Sequence, residues 1–207
     1  MPLITGGIQN NELFLVTPYI EGGSLEQRLF NLPMQRTTKD VAPLFDVVLQ
    51  IAEALAYSHS QNTLHRDVKP GNILINRHHA YLMDFGLARE INTIGNTVNI
   101  TRGAVGTPLY MAPEIWELHP VLQSDLYSLC VIIYEIVSGT YPFTAPNPED
   151  IYLKQLSARS PKPPPSLFPL PPGFNEFLLK GLQKNYQYRY SSMEEFIEKL
   201  KKIIKLF

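Results

Sequence analysis

The sequence predicts a mainly helical α+β fold that opens with a short β-hairpin. The stretch "NELFLVTPYI" at 11–20 is rich in β-branched and aromatic residues and stops at "EGG", which is typical of a strand that leaves into a turn. From Thr37 onward, apolar residues recur at three- and four-residue steps, which indicates an amphipathic helix. A third stretch, "SDLYSLCVIIYEIV" at 124–137, is apolar on nearly every side, as expected of a buried helix.

The first elements are therefore a hairpin and a long helix. The stretch "LITGG" at 3–7 is the possible partner strand of the hairpin. Thr37 and Asp40 resemble a capping box at the start of the helix. The apolar positions of that helix are Val41, Leu44, Val48, Ile51 and Leu55.

The later elements follow from the same patterns. The stretch "NILINRHHAYLMDFG" predicts two short strands around a polar turn at 76–80, and the Thr-, Asn- and Gly-rich run at 87–107 predicts a mobile loop. The buried helix is predicted to begin near Ser124 or Asp125 and to end before Gly139. Seven prolines between 161 and 172 exclude a regular element there. The chain closes on an amphipathic helix that is acidic at its start and lysine-rich at its end.

Composition limits the classes of function. A formal net charge of -1 over 207 residues gives no reason to expect nucleic acid or an anionic membrane as a partner. The single cysteine, Cys130, excludes an internal disulfide. The first residues lack the basic start and long apolar region of a signal peptide. We expect a cytoplasmic protein without a membrane partner.

The chemistry is concentrated in "LHRDVKPGNILI" at 64–75. Asp67, Lys69 and Asn72 lie there in a non-helical stretch between a predicted helix and a predicted strand, and Asp84 follows the next hairpin. Carboxylate and amide oxygens suit magnesium, and an ammonium suits phosphoryl oxygens. The remaining carboxylate is available to accept a hydroxyl proton. These residue types together predict a phosphoryl-transfer site.

Five motifs occur in order along the chain: "HRDVKPGN", "DFG", "GTPLYMAPE", "SDLYSLCVIIYEIVSGTYPF" and, near the end, "KNYQYR". The first four resemble the catalytic loop, the metal-binding motif, the end of the activation segment and the central helix of the eukaryotic-type serine/threonine protein kinase family, and the fifth resembles the stretch near its end that carries an Arg. The resemblance implies a kinase-like C-terminal lobe, with ATP and Mg²⁺ as cofactors and a protein Ser or Thr as substrate. Lys69 and Thr107 resemble the serine/threonine branch rather than the tyrosine branch.

The resemblance also implies a role for each site residue. Asp67 would be the catalytic base and Lys69 would bind the γ-phosphate, while Asn72 and Asp84 would hold magnesium. The residues implied around adenine are Thr17 at the back of the pocket, Ile20 at the hinge and Leu74 beneath the ring.

Four further residues have structural roles by the same resemblance. Glu114 and Arg189 would form a buried ion pair, and Asp125 would hydrogen-bond the backbone of the catalytic loop. Arg66 precedes the catalytic Asp, the arrangement of kinases whose activation loop is ordered by phosphorylation. Thr101 is the first candidate for that phosphorylation, followed by Thr97.

The chain departs from the family pattern before the hinge. The family places a Gly-rich loop, a strand Lys and a helix Glu there, whereas the first basic residue of this sequence is Arg28. We therefore expect a remnant of the small lobe at 1–20, a large lobe at 21–207, and a truncated or split kinase with feeble activity as an isolated chain. Its partners could include a complementing small lobe or a regulatory protein. A smaller departure is that Tyr127 and Leu129 stand where the family usually has Trp and Gly.

Two other classes of function stay open at this point. One is a non-catalytic interaction module that keeps the large lobe for docking. The other is a small-molecule phosphotransferase of kinase-like fold, against which stand Lys69, the "APE" motif and the long activation loop.

Overall fold

A computed structural model of the protein describes residues 4–10, 12–84, 89–90, 108–157 and 161–207. The predicted fold class is confirmed, because helices dominate these residues and the strands are short and form two-stranded sheets. The hairpin consists of β1 (Thr5–Gln9) and β2 (Glu12–Val16), which pair antiparallel with Thr5 opposite Val16.

The next two elements are helices. A six-residue helix, α1 (Leu25–Phe30), begins at Ser24, whose hydroxyl accepts a hydrogen bond from the Gln27 N–H. The long predicted helix is α2 (Thr38–Ser60). At its start, the Asp40 carboxylate accepts a hydrogen bond from the Thr37 N–H at 2.7 Å. This hydrogen bond is the contribution of Asp40 to the predicted capping box.

Four short strands surround the catalytic stretch. They are β3 (Thr63–Leu64), β4 (Ile73–Asn76), β5 (His79–Leu82) and β6 (Arg89–Glu90). β3 pairs with β6 and β4 pairs with β5, both antiparallel. A 3₁₀ turn at Pro70–Asn72 leads directly into β4.

The rest of the described chain is helical. It contains α3 (Pro113–Trp116), α4 (Leu122–Ser138), α5 (Pro148–Leu156), α6 (Phe174–Gly181) and α7 (Met193–Ile204), with 3₁₀ turns at Pro108–Tyr110 and Tyr186–Tyr188. Gly139, in the left-handed region at φ 68°, ends α4 as predicted.

The core lies where α2, α4, α6 and α7 pack together. α4 is its centre, since every residue from Ser124 to Ser138 is buried except Glu135. The other large contributors come from α2, α6 and α7, among them Phe45, Ile51, Leu55, Phe174, Leu178 and Phe196. α2 is long and apolar enough to cross a membrane, but half of its most apolar window is buried inside the fold, as in a core helix.

Some element boundaries differ from the sequence prediction. The turn between β4 and β5 is Arg77–His78, shorter than the predicted 76–80, because Asn76 and His79 still pair across the ladder. α4 begins at Leu122, earlier than predicted, with the Ser124 hydroxyl accepting from the Val121 N–H. The predicted mobile loop at 87–107 lies outside the described residues except for β6. The proline-rich stretch, described from Pro161, is free of helix and strand as far as Gly173.

Candidate active site

Three of the predicted site residues converge at the turn that precedes β4. The Lys69 Nζ lies 2.7 Å from Asp67 Oδ2. The Asn72 Nδ2 donates to the same carboxylate oxygen at 2.8 Å and to the Asp67 backbone carbonyl at 2.9 Å. The Asp67 side chain is 12% exposed, so it is largely shielded and can still be reached from solvent. The result is a carboxylate held in one orientation by an ammonium and an amide.

Asp125, near the start of α4, holds the backbone of this loop from beneath. Its Oδ2 accepts from the His65 N–H at 2.9 Å, and its Oδ1 accepts from the Arg66 N–H at 2.8 Å. The His59 Nε2 also donates to Oδ2 at 2.9 Å, from the last turn of α2. Asp125 is 1% exposed, and a carboxylate buried to that degree needs such donors to offset its lost hydration.

His65 links the loop to the end of β5. Its ring Nε2 lies 2.7 Å from the Met83 carbonyl, which can only accept, while its Nδ1 lies 3.3 Å from the Asp67 N–H, which can only donate. These partners select the tautomer that carries the proton on Nε2. His65 therefore fixes the backbone of Asp67 relative to the residue before Asp84.

Asp84 stands beside Asn72 through the backbone. The Met83 N–H donates to the Asn72 carbonyl at 2.8 Å, and Asp84 is the next residue. Both Arg66 and Asp84 adopt left-handed backbone conformations, with φ of 68° and 62°. Such conformations cost on the order of 1–3 kcal/mol each and persist where surrounding contacts impose them. Here Asp125 holds Arg66 next to Asp67, the predicted base, and Asn72 holds Met83 next to Asp84, a predicted magnesium ligand.

The residues present fit a magnesium ion. Asn72 uses its Nδ2 hydrogens for its hydrogen bonds to Asp67, which leaves its Oδ1 as a hard oxygen ligand. The exposed Asp84 carboxylate follows Met83, the residue whose N–H donates to the Asn72 carbonyl. Within the described ranges no group of three or more His, Cys, Asp or Glu could hold a metal. One carboxylate and one amide match Mg²⁺, which takes few protein ligands and completes its shell with water and phosphate oxygens.

The predicted adenine-binding residues lie on the segment that joins the hairpin to α1 and on β4. The Ile75 N–H donates to the Gly23 carbonyl at 2.9 Å, and Ser24 forms a β-bridge with Leu74. A Cβ added to Gly22 would lie 1.7 Å from the Ile75 carbonyl oxygen, so only glycine permits this approach. These contacts bring Gly22, Gly23 and Ser24 against β4; Ile20, just before them, is half-buried, and Thr17, directly after β2, is exposed.

The predicted pair of Glu114 and Arg189 forms a buried bidentate contact. The Arg189 guanidinium donates to the two Glu114 oxygens at 2.7 and 2.9 Å, and the Ser124 hydroxyl donates to Oε1 at 2.7 Å. Arg189 also donates to backbone carbonyls, those of Gln123, Gln183 and Lys184. This contact fixes α3 to the turn before α7.

A stretch at 108–112, the 108–112 segment hereafter, is held beside the catalytic loop by α4. The Ser128 hydroxyl donates to the Tyr110 carbonyl at 2.7 Å. Asp125 and Ser128 are three residues apart and thus on one face of the helix. The same helix therefore anchors the catalytic loop with one residue and the 108–112 segment with the other.

Glu135 is a third polar residue of α4, two turns beyond Ser128. It accepts from the hydroxyls of Tyr110 at 2.6 Å and Tyr141 at 3.0 Å. Burial raises the pKa of the Glu135 carboxyl, and these two donors partly oppose the shift. Burial followed by the charge of Glu135 raises the pKa of the Tyr110 phenol. Arg36 caps the C-terminal end of α4, because its guanidinium donates to the carbonyls of Glu135 and Ile136, both at 2.9 Å.

Several predicted residues lie outside the described residues, namely Phe85 and Gly86 of the "DFG" motif and the phosphorylation candidates Thr97 and Thr101.

Sequence reasoning missed the contacts made by four residues, namely His59, Arg36, Glu135 and Gln155. Glu135 carried a usable signal, because it is a charged residue in the most apolar stretch of the sequence and so needs a partner. His59, Arg36 and Gln155 carried none.

Comparison with known proteins decides the family. The family model for the protein kinase domain matches residues 4–200. The chain belongs to the protein kinase family. This kinase domain is 32% identical over 186 residues to the serine/threonine-protein kinase PknB of Mycolicibacterium smegmatis, covering 88% of the chain and 29% of the relative.

Two further relatives agree with this assignment. The serine/threonine-protein kinase PknB of Mycobacterium tuberculosis is 33% identical over 187 residues, covering 88% of the chain and 29% of the relative. The probable serine/threonine-protein kinase CPE1738 of Clostridium perfringens is 28% identical over 201 residues, covering 96% of the chain and 28% of the relative. The kinase domain thus spans under a third of the length of these curated relatives. Membership of this serine/threonine kinase family implies the use of ATP and Mg²⁺ and a protein substrate in general terms.

Proposed function

We propose that residues 21–207 form the large lobe of a serine/threonine protein kinase that transfers the ATP γ-phosphate to a protein hydroxyl. The observation that carries this proposal is the cluster around the Asp67 carboxylate. The Lys69 Nζ and the Asn72 Nδ2 both lie within 2.8 Å of Asp67 Oδ2. Asp67 accepts the hydroxyl proton and orients the attacking oxygen, and Lys69 stabilises the charge on the transferred group.

The other predicted residues complete the site in this proposal. Asn72 and Asp84 hold Mg²⁺, which supplies charge neutralisation at the phosphates when bound. Leu74, Ile20 and Thr17 form the adenine side, and the 108–112 segment supports the peptide. Thr101, then Thr97, is the site where phosphorylation orders the activation loop through Arg66. We place the protein in the cytoplasm, since its one cysteine, Cys130, is buried and forms no disulfide.

We also propose that the polypeptide of residues 1–207 transfers phosphate slowly when it is alone. No Lys or Arg precedes Arg28, so residues 1–20, on the hinge side of the site, supply no cation. Loss of one preorganised charge-stabilising group typically costs ~10²–10³ in rate. A separate small lobe or regulatory protein that supplies such a cation would raise the rate.

The test is a thermal shift of residues 1–207 titrated with ATP and MgCl₂, beside Asp84→Asn. A ligand that binds only the folded state stabilises it by about 2.7 kcal/mol at a hundred times Kd. We expect an upward shift that requires magnesium and is lost in Asp84→Asn, while Asp46→Asn, an exposed carboxylate on α2, keeps it. A cooperative melt without any shift would favour the non-catalytic interaction module. Fast phosphorylation of a peptide by the isolated chain, abolished by Asp67→Asn, would contradict the proposal of slow transfer.

A further inference from the structure

The 108–112 segment is held at a second carbonyl by a residue with no assigned role. Gln155, on α5, is 2% exposed and its Nε2 donates to the Met111 carbonyl at 2.8 Å. The preceding carbonyl, that of Tyr110, accepts from Ser128 on α4. Two consecutive carbonyls are therefore fixed by buried side chains from two different helices. A backbone stretch held in this way cannot rotate either peptide group without breaking a hydrogen bond.

Gln155 also faces Tyr127, one of the departures from the family pattern. Tyr127 is 1% exposed, and the Arg189 guanidinium lies 4.7 Å from its ring centroid. Burial raises the pKa of the Tyr127 phenol, and the Gln155 amide acts on the same hydroxyl in the opposite direction. No hydrogen bond of standard geometry satisfies either the Tyr127 hydroxyl or the Gln155 Oε1 within the described part of the chain.

The Gln155 amide has a separate group for each of these two neighbours. Its Nε2 donates to the Met111 carbonyl, while its Oε1, which can only accept, suits the Tyr127 hydroxyl, which can donate. Within the described residues, Gln155 is the side chain that holds the Met111 carbonyl, so turning it away would leave that carbonyl without its donor.

We propose that Gln155 is a positioning residue for the peptide substrate, acting through the Met111 carbonyl. This inference rests on the proposed function, in which the 108–112 segment supports the peptide. Since α4 places that segment beside the catalytic loop, its geometry governs the substrate residues next to the phosphorylated Ser or Thr. Gln155 then affects the choice of peptide without touching ATP.

The test compares Gln155→Met with Gln50→Met. Gln50 is a matched control, because it donates to the His78 carbonyl at 2.8 Å and accepts from the Ala80 N–H at 2.9 Å, far along the chain from the 108–112 segment. Amide hydrogen exchange at 110–115 should become at least ~10-fold faster in Gln155→Met and stay unchanged in Gln50→Met. Tyr127→Phe removes a neighbouring hydroxyl but leaves the Gln155 Nε2 on the Met111 carbonyl, so exchange at 110–115 should stay unchanged in this variant.

The second readout uses a positional peptide library with a fixed central Ser or Thr, ATP and MgCl₂. Gln155→Met should weaken selection at the positions adjoining the phosphorylated residue and raise the KM for peptide several-fold, while the KM for ATP stays constant. Equal exchange in Gln155→Met and the unmodified chain would overturn the inference, as would faster exchange spread evenly over the whole fold. If the unmodified chain phosphorylates no peptide and ATP with MgCl₂ also gives no thermal shift, the proposed function fails. The exchange result then still supports or overturns, by itself, the role of Gln155 in holding the segment.

Discussion

At the scale of single residues, the contact between Glu114 and Arg189 is an ion pair enclosed by the fold. The side chain of Arg189 is fully buried and that of Glu114 is 6% exposed. Removing one partner of a buried pair leaves an uncompensated charge, which typically costs about 3–5 kcal/mol. We therefore expect Arg189→Met to lower the free energy of unfolding by about that amount, measured from the urea midpoint at constant m-value.

The double variant Glu114→Gln with Arg189→Met separates charge burial from packing. It should be more stable than Arg189→Met alone, since the orphaned carboxylate is gone. Equal stability of the single and double variants would show that packing against Tyr127 and the three carbonyl contacts, rather than the buried charge, account for the loss.

Residue contacts could be predicted from sequence where a motif fixes the spacing, and not elsewhere. Asp125 was expected to hold the catalytic-loop backbone, and it accepts from both His65 and Arg66. Gln155 was not expected to hold Met111, because the two are 44 positions apart and meet only once α5 packs beside the 108–112 segment. The catalytic roles of Asp67, Lys69, Asn72 and Asp84 stay predictions.

At the scale of elements, the start of α7 shows how charge joins two helices. The Glu195 carboxylate accepts from Lys180 of α6 at 2.9 Å and from the Ser191 N–H and hydroxyl, both at 2.8 Å. These contacts, with Lys180 foremost, lower the pKa of Glu195 to about 2. The unfolded chain binds this proton more readily, so the stabilisation is complete above pH ~4.5 and is lost as pH falls toward 2.

Glu195→Gln should therefore be less stable than the unmodified chain at pH 6, by up to about 1 kcal/mol given the partial exposure of the pair. The difference should shrink steadily between pH 4.5 and pH 3, measured by urea unfolding at each pH. Glu198→Gln, which changes an exposed carboxylate on the same helix, should show no such trend. A difference that is constant with pH would mean that the ionised carboxylate contributes nothing.

Elements were predictable from sequence in proportion to their length and periodicity. The long helices α2, α4 and α7 each repeat an apolar pattern over at least three turns, and all three are present. The six-residue α1 and four-residue α3 are too short to show a period, and tertiary packing stabilises them. The hairpin could be predicted because β-branched and aromatic residues are enriched in its sequence, and this composition indicates a strand without any repeating apolar pattern.

At the scale of the whole molecule, the hairpin and the helical core differ in how they are stabilised. The core residues Ile51, Leu55 and Leu129 are fully buried, whereas Ile8 and Leu15 of the hairpin are 75% and 63% exposed. β1 and β2 contact each other much more than any other described element. A two-stranded hairpin with both edges open is marginal in water and exposes an apolar surface.

Deletion of residues 1–16 should therefore leave the free energy of unfolding of the remaining chain within about 1 kcal/mol, because the deleted strands bury little apolar surface against the core. Binding of the dye ANS to the folded state should fall, since the deletion removes exposed apolar side chains that include Ile8 and Leu15. Leu55→Ala is the contrasting variant and should cost about 2–5 kcal/mol by opening a cavity in the core. A broad, non-cooperative melt of the deletion variant would show instead that the hairpin is part of the cooperative unit, and the large lobe would not be self-sufficient.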